Sequence, residues 1–343
     1  MAKGDAGLPV GKLPAELLGR LIATYATSDP TVIVGPGVGG DAAAIDLGST
    51  TLVVKSDPIT FASESPARYL VDVNANDLAC LGATPHWMMV TALLPPGTTE
   101  ELVESHFREL SDACLRRGIS LVGGHTEVTS GLDRPILVGV LIGEAESGRL
   151  LRPGGARPGD RLLLTGAIAL EGTALVAREL GPRLSRVDPL TVERAASLLF
   201  DPGISVVSEA IALLEAGGVT ALHDPTEGGL ATGVRELALA AGCGATIDRD
   251  AVPILSETAA IADALGLDPL GMLASGSLLA AADAGAVERL ISISGTLGFR
   301  LTPIGEVTDQ EGRFILRANG LEQEMPVFGS DEITRVLGGR ASA

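Results

Sequence analysis

Aromatic side chains are almost missing from this chain: one Trp, two Tyr and six Phe make up 3% of 343 residues. A core without rings must be filled by Ala, Val, Leu and Ile, as where helices pack on a sheet. Cysteine is scarce too. Cys80, Cys114 and Cys243 stand far apart with no C-x-x-C pair, which excludes a disulfide framework and a thiolate zinc site. The four histidines do not cluster, so nothing favours imidazole-held zinc. Positive charge is short: 25 Lys and Arg against 43 Asp and Glu leave a formal net charge of −18. Such a surface repels nucleic acid and anionic lipid, and no basic run offsets it locally. No apolar run is long enough to span a bilayer. The opening MAKGDAGLPVGKLPAELL lacks the apolar stretch of a signal peptide. The expectation is a cytoplasmic protein with neither nucleic acid nor membrane as partner.

What is present is apolar and glycine-rich: 46% hydrophobic residues and 44 glycines. The length suits two domains better than one. Helical spacing predicts helices over 13–26, 66–82, 98–117, 171–180, 190–199, 204–216, 256–265 and 285–294, and one ending near 242. Apolar and β-branched runs predict strands at 31–34, 42–46, 50–56, 87–94, 119–122, 135–143, 161–165, 219–222, 276–281, 300–306 and 313–317. The Pro/Gly-dense stretch 152–160 separates a first domain, 1–150, from a second, 151–337, with a flexible tail at 338–343. The fold class read from this order is α/β (α+β).

Gly35, Gly37 and Gly40 spell G-x-G-x-x-G after a strand, and Asp57 follows at a tempting distance. The dinucleotide reading fails on length. Only seven residues lie between Gly40 and the turn at Gly48, and a parallel crossover needs about a dozen or more. Gly11-Lys12 lacks the Ser or Thr of a phosphate-binding loop.

The acids are more informative. On the helix over 66–82, Asp77 shares its face with Leu70, Val73, Asn74, Cys80 and Leu81. A carboxylate on an apolar stripe is expensive unless paired or bound to metal. The alternative is a helix turned so that Asp77 reaches solvent or a backbone amide. Asp41 follows the glycine loop, Asp57 ends a strand, and Glu127 follows Gly123-Gly124 at another strand end. Each alone fits an ordinary turn or cap. Together they suggest oxygen ligation of Mg²⁺ holding phosphates. In the second half, 224–230 joins a strand to a helix. Thr226 is placed to cap that helix, and Gly228 and Gly229 would leave its first amides open to an anion. The entry at 166–173 is of the same kind.

The ordered segments GKLPAELL (11–18), GGDAAAI (39–45), KSDPIT (55–60), VNANDLACLGATP (73–85), LVGGHTEV (121–128), RPGDRLLLTG (157–166) and HDPTEGGLA (223–231) resemble the aminoimidazole-ribonucleotide-synthetase (PurM-like) superfamily. Its hydrogenase-maturation, HypE-like branch is the nearest. The resemblance implies a first domain that pairs with a second copy of itself, giving a homodimer that binds ATP with Mg²⁺. It implies a second domain that closes over the site. By position it implies Asp41, Asp57 and Asp77 as metal ligands. Lys12, Gly39, Gly40, Lys55, Gly123, Gly124 and Glu127 fall to the nucleotide, and Asp224, Thr226, Glu227 and His125 to catalysis on a small-molecule substrate. Gly40 and His125 stand where the family carries Asp, which reduces the acidic ligand count. That branch ends in a cysteine that accepts a carbamoyl group. Here the last residues are 338–343, GGRASA, so the expectation is an ATP site without a thiol-borne substrate. The implied reaction is phosphorylation of a substrate oxygen. The alternatives are a small-molecule kinase like thiamine-monophosphate kinase, and a non-catalytic nucleotide-binding partner.

Overall fold

The computed structural model describes residues 13, 15–37, 42–59, 66–146 and 148–337. After α1 (Ala15–Tyr25) come β1 (Val32–Val34), β2 (Ala43–Asp46) and β3 (Thr51–Ile59). Then follow α2 (Pro66–Cys80), β4 (Thr84–Leu94), α3 (Glu100–Arg116), β5 (Ser120–Val128) and β6 (Ile136–Ala145). These strands form one sheet in the order β1-β2-β3-β6-β4-β5. Only the β4–β5 pair is parallel, and α3 supplies the crossover that a parallel pair needs.

The second half builds its own seven-stranded sheet. It contains β7 (Arg161–Thr165), α4 (Leu170–Leu180), α5 (Pro189–Ser197), α6 (Val207–Ala216), β8 (Val219–His223), α7 (Gly229–Ala240) and β9 (Gly244–Asp248). The remainder is α8 (Ser256–Leu265), β10 (Leu279–Ala282), α9 (Val287–Leu297), β11 (Leu301–Thr308), β12 (Phe314–Ala318), β13 (Leu321–Glu324) and α10 (Thr334–Leu337). The strand order is β13-β12-β9-β11-β7-β10-β8. Leu162 and Leu164 of β7 join one apolar cluster and Leu163 the other. Both faces of the central strands are covered, which is why β7 reads as an unbroken apolar run.

Helix α2 decides how the halves meet. One side lies on β3 and β6. A Cβ at Gly139 of β6 would meet Met88 Cε at 2.7 Å, Asn74 Nδ2 at 3.0 Å and Leu70 Cγ at 3.2 Å, so the glycine lets the helix sit close. The other side meets the second half: Asn76 Nδ2 donates to Ile204 O at 2.9 Å, and its Oδ1 accepts from Val206 N at 2.8 Å. All of its residues except Arg68 are therefore buried, including Asp72, Asn74, Asn76 and Asp77.

Several expectations need correction. Strand β3 runs through Asp57 and Pro58 to Ile59. Among the described residues β2 pairs with Thr51 to Val54 and not with Pro58, so the missing N–H of that proline breaks no ladder bond seen there. Strand β5 continues through Gly123–Gly124 instead of stopping before them. The strand expected at 313–317 is β12, whereas β9 and β13, the second arm of the β12–β13 hairpin, carry no such expectation. Gly244 and Ala245 read as the aftermath of a helix, and only pairing with β11 and β12 makes 244–248 a strand. The tail 338–343 lies outside the described residues. No single helix among those described is long and apolar enough to cross a membrane.

Asn76→Ala would strand a buried donor and a buried acceptor at the junction. The expected loss is about 1–3 kcal/mol of unfolding free energy, read by urea denaturation. An unchanged midpoint would refute the role given to this amide.

Candidate functional site between the two sheets

The expected carboxylate on the apolar face of α2 is there, and it is buried: Asp77 is 3% exposed. It faces Lys55 of β3, whose Nζ is 2.9 Å from Asp77 Oδ2 and 3.6 Å from Asp57 Oδ2. Strand alternation puts Lys55 and Asp57 on the same side of β3, beneath α2. Charge cannot stay unpaired at such a depth, and the ammonium answers both acids. One turn along α2, Cys80 Sγ donates to Asp224 Oδ1 at 3.7 Å. That contact brings the loop after β8 to the same place. Sequence-distant Asp57, Asp77 and Asp224 thus share one neighbourhood.

The second half adds two acids that the sequence analysis did not single out. Glu171 lies buried in the first turn of α4. Its carboxyl is raised to about 7, chiefly by burial and further by Asp331, Glu227 and Asp57, against the lowering effect of Ser275. Asp331 is raised to about 6, chiefly by burial. The Ile333, Gly228 and Leu273 N–H groups favour its ionised form, and Glu227 opposes it. The segment 271–275 stitches these parts together. Gly172 N donates to Leu273 O at 2.9 Å and Ala274 N to Thr226 O at 3.4 Å.

The expected open helix end is altered by Asp331. Helix α7 starts at Gly229 and its N-cap residue is Gly228, not Thr226. Gly228 N instead donates to Asp331 Oδ2 at 2.8 Å, so the chain supplies its own anion. Gly228 and Gly229 have φ of 78° and 63°, a left-handed region costly for other residues. A Cβ at Gly229 would meet Met272 O at 2.7 Å and Met272 N at 2.9 Å.

Other expected residues lie elsewhere. His125 and Glu127 are exposed on β5 and pair with each other, Nε2 to Oε2, at 3.1 Å. Across the sheet Asp57 is level with Gly139, Gly139 with Val90, and Val90 with Gly124. Three strand spacings of about 4.8 Å separate Asp57 from Gly124, roughly 14 Å. Within one chain β5 does not join the acidic cluster. Gly124, at φ 144°, is needed for strand packing, because a Cβ there would strike the Val90 backbone. Lys12, Gly39, Gly40 and Asp41 lie outside the described residues. Among the described residues no group of three or more His, Cys, Asp or Glu is arranged to hold a metal ion. The oxygens of Asp57 and Asp77 nonetheless suit Mg²⁺, and the ammonium seated between them marks a place built for positive charge.

Comparison with known proteins agrees with this two-part architecture. Residues 39–145 match the N-terminal domain, and residues 157–317 the C-terminal domain, of AIR synthase related proteins. The carbamoyl dehydratase HypE of Cupriavidus necator is 30% identical over 264 residues, covering 75% of this chain and 72% of that protein. A solved structure of the hydrogenase maturation protein HypE in complex with ATP superposes with a TM-score of 0.71 at 22% identity, covering 92% of this chain and 95% of that one. AaThiL complexed with AMPPCP and TMP superposes with a TM-score of 0.72 at 19% identity, again covering 92% and 95%. At these identities the two structures speak for the fold alone.

Glu171 sets a pH test. Its folded carboxyl holds a proton more tightly than the unfolded one, about 7 against 4.5. Its contribution to stability is therefore full below about 4.5 and lost as pH rises through about 7. Glu171→Gln should stabilise the protein at pH 8, on the order of 2 kcal/mol, with the gain fading towards pH 4.5. Thermal denaturation across that range checks it. A gain independent of pH would contradict the assignment.

Proposed function

The chain belongs to the AIR synthase related protein family, in its HypE branch, and we propose that it is an ATP-dependent, Mg²⁺-dependent enzyme that phosphorylates an oxygen of a small-molecule acceptor. The observation that carries this reading is the meeting of Lys55, Asp57 and Asp77 with Asp224 and the Glu171–Glu227–Asp331 acids of the second half. Two parts of the chain present charge to one cleft, as a donor phosphate and an acceptor held face to face require.

Asp57 and Asp77, with Asp41, are the residues that would hold Mg²⁺. The metal would supply charge neutralisation for the transferring phosphoryl group. Lys12, Gly39, Gly40, Lys55, Gly123, Gly124 and Glu127 are assigned to the nucleotide. Asp224, Thr226 and Glu227 are assigned to the reacting end; His125, on β5 with Gly123, Gly124 and Glu127, would reach the site only from the second copy of a dimer. Lys55 offers an ammonium to phosphate oxygens. Glu171, with its carboxyl at about 7, suits the proton from the acceptor's O–H or N–H near neutral pH. The γ-phosphoryl group passes to the acceptor oxygen and ADP leaves. A nitrogen then displaces the phosphate, or phosphate is eliminated, as in a dehydration. A kinase that keeps the phosphate on its product is the second reading, since the same ammonium and acids serve a transfer that stops once the acceptor oxygen carries the phosphate. A cytoplasmic location fits this chemistry.

The test is a metabolite screen for ATP consumption that records whether phosphate is released or retained, run beside Asp77→Asn. Wild type should turn over ATP with at least one acceptor. Asp77→Asn should fold yet bind Mg-ATP at least about tenfold more weakly, the usual scale for losing an oriented ligand. Equal Mg-ATP affinity in the two chains would refute the metal assignment.

The first sheet would form the homodimer contact. Trp87 and Met89 of β4 and Leu121, Val122 and Val128 of edge strand β5 are exposed at 37–57%, an apolar surface of the kind that marks an interface. Light scattering should give a dimer at micromolar concentration and a monomer for Met89→Glu. A wild-type monomer in the presence of ATP would end this proposal.

A further inference from the structure

The place assigned to the metal ion is already filled by a cation that the chain itself supplies. Lys55 Nζ is 2.9 Å from Asp77 Oδ2 and 3.6 Å from Asp57 Oδ2. The Asp77 side chain is 5% exposed and that of Lys55 19%. A dication cannot be added there while the ammonium stays. Two carboxylates and one ammonium sum to a single negative charge, and Mg²⁺ would leave a buried surplus of positive charge. Like charges a few ångströms apart repel strongly at the effective dielectric of a partly buried site. The ammonium must leave as the metal enters. It can, because a lysine head rides on a flexible four-carbon stem and β3 need not shift. It leaves an anion behind, so its departure is favourable only where another anion receives it.

We propose that Lys55 is a resident counter-ion that makes metal entry conditional on nucleotide: a divalent cation takes the oxygens of Asp57 and Asp77 when a phosphate group receives the displaced ammonium. This rests on the ATP reading above. It adds a coupling between two ligands that neither carboxylate would produce alone. Lys55 is thus a positioning residue, and by reciprocity the metal raises nucleotide affinity by the same factor that nucleotide raises metal affinity. A static Lys55–Asp77 pair would instead leave only the coupling that comes from the metal touching phosphate.

Mn²⁺ is the probe, followed by its paramagnetic resonance signal with and without a β,γ-methylene analogue of ATP. In wild type the analogue should raise Mn²⁺ affinity by roughly 10- to 100-fold, the usual range of such coupling. Lys55→Met should bind Mn²⁺ alone about tenfold or more tighter than wild type, and the analogue should then raise Mn²⁺ affinity by a smaller factor than in wild type. Lys55→Gln is read in the same way, should the methionine leave Asp77 too poorly compensated to fold. Folding of either variant that is restored by Mn²⁺ alone also supports the proposal. Equal Mn²⁺ affinity of wild type and variant without nucleotide overturns it, as does a variant that stays unfolded in millimolar Mn²⁺. If neither chain binds the analogue, the ATP reading fails. The contrast in Mn²⁺ alone still decides whether Lys55 occupies the metal's place.

Discussion

A buried carboxylate needs a positive partner, and the rest of this structure is arranged around that need at Asp77. Helix α2 is enclosed by its own sheet on one side and by the second half of the chain on the other. Asp72, Asn74, Asn76 and Asp77 on it are therefore shut off from water. Asp77 finds Lys55. Asp72 finds Arg117 at 2.8 Å and Arg68 at 3.8 Å. Asn76 is spent on the backbone of 204–206. Such pairing contributes little net stability against an apolar alternative. It fixes which groups face which, and so it fixes the junction.

On the second side of that junction the balance is reversed. Glu171, Glu227 and Asp331 gather with Asp57 near them, acids raising one another's affinity for protons. Carboxyls pushed to about 7 and about 6 store unfavourable energy in the folded state. Proteins retain such conflicts chiefly at functional sites. Here it leaves groups that change charge near neutral pH beside a cation-holding pair, a useful juxtaposition for moving a proton next to a phosphate.

The glycines serve the same economy of space. Gly139 lets α2 approach β6, Gly124 lets β5 lie against β4, and Gly229 lets α7 begin against the 270–272 backbone. Gly123 and Gly124 sit in a motif that resembles a nucleotide-binding segment. In one chain their neighbours are strand backbone, and His125 and Glu127 beside them face outward.

The sequence alone determined the elements with a clear period, because periodicity is a local property. Helix α2 was legible from its apolar stripe, and the charge on that stripe pointed to Asp77. The strands with β-branched or continuous apolar runs, β3 and β7, were legible in the same way, though the end of β3 was not, since Pro58 normally stops a strand. Strand β9 and the continuation of β5 through two glycines depend on partners far along the chain, which no local pattern reveals, and the polar β13 shows its strand only by pairing with β12. The same division holds at the site. Asp77 was readable from its helix face, and Asp57, Asp224 and Glu227 from strand ends and loops. Glu171 carried only the weak signal of a strand-to-helix entry, and Asp331 none. Their carboxyls matter because segment 271–275 draws α4, the 226–229 loop and residue 331 together. That Lys55 answers Asp77 was likewise a tertiary decision: they are 22 positions apart on a strand and a helix, and only packing of one on the other brings an ammonium within 2.9 Å of a buried acid.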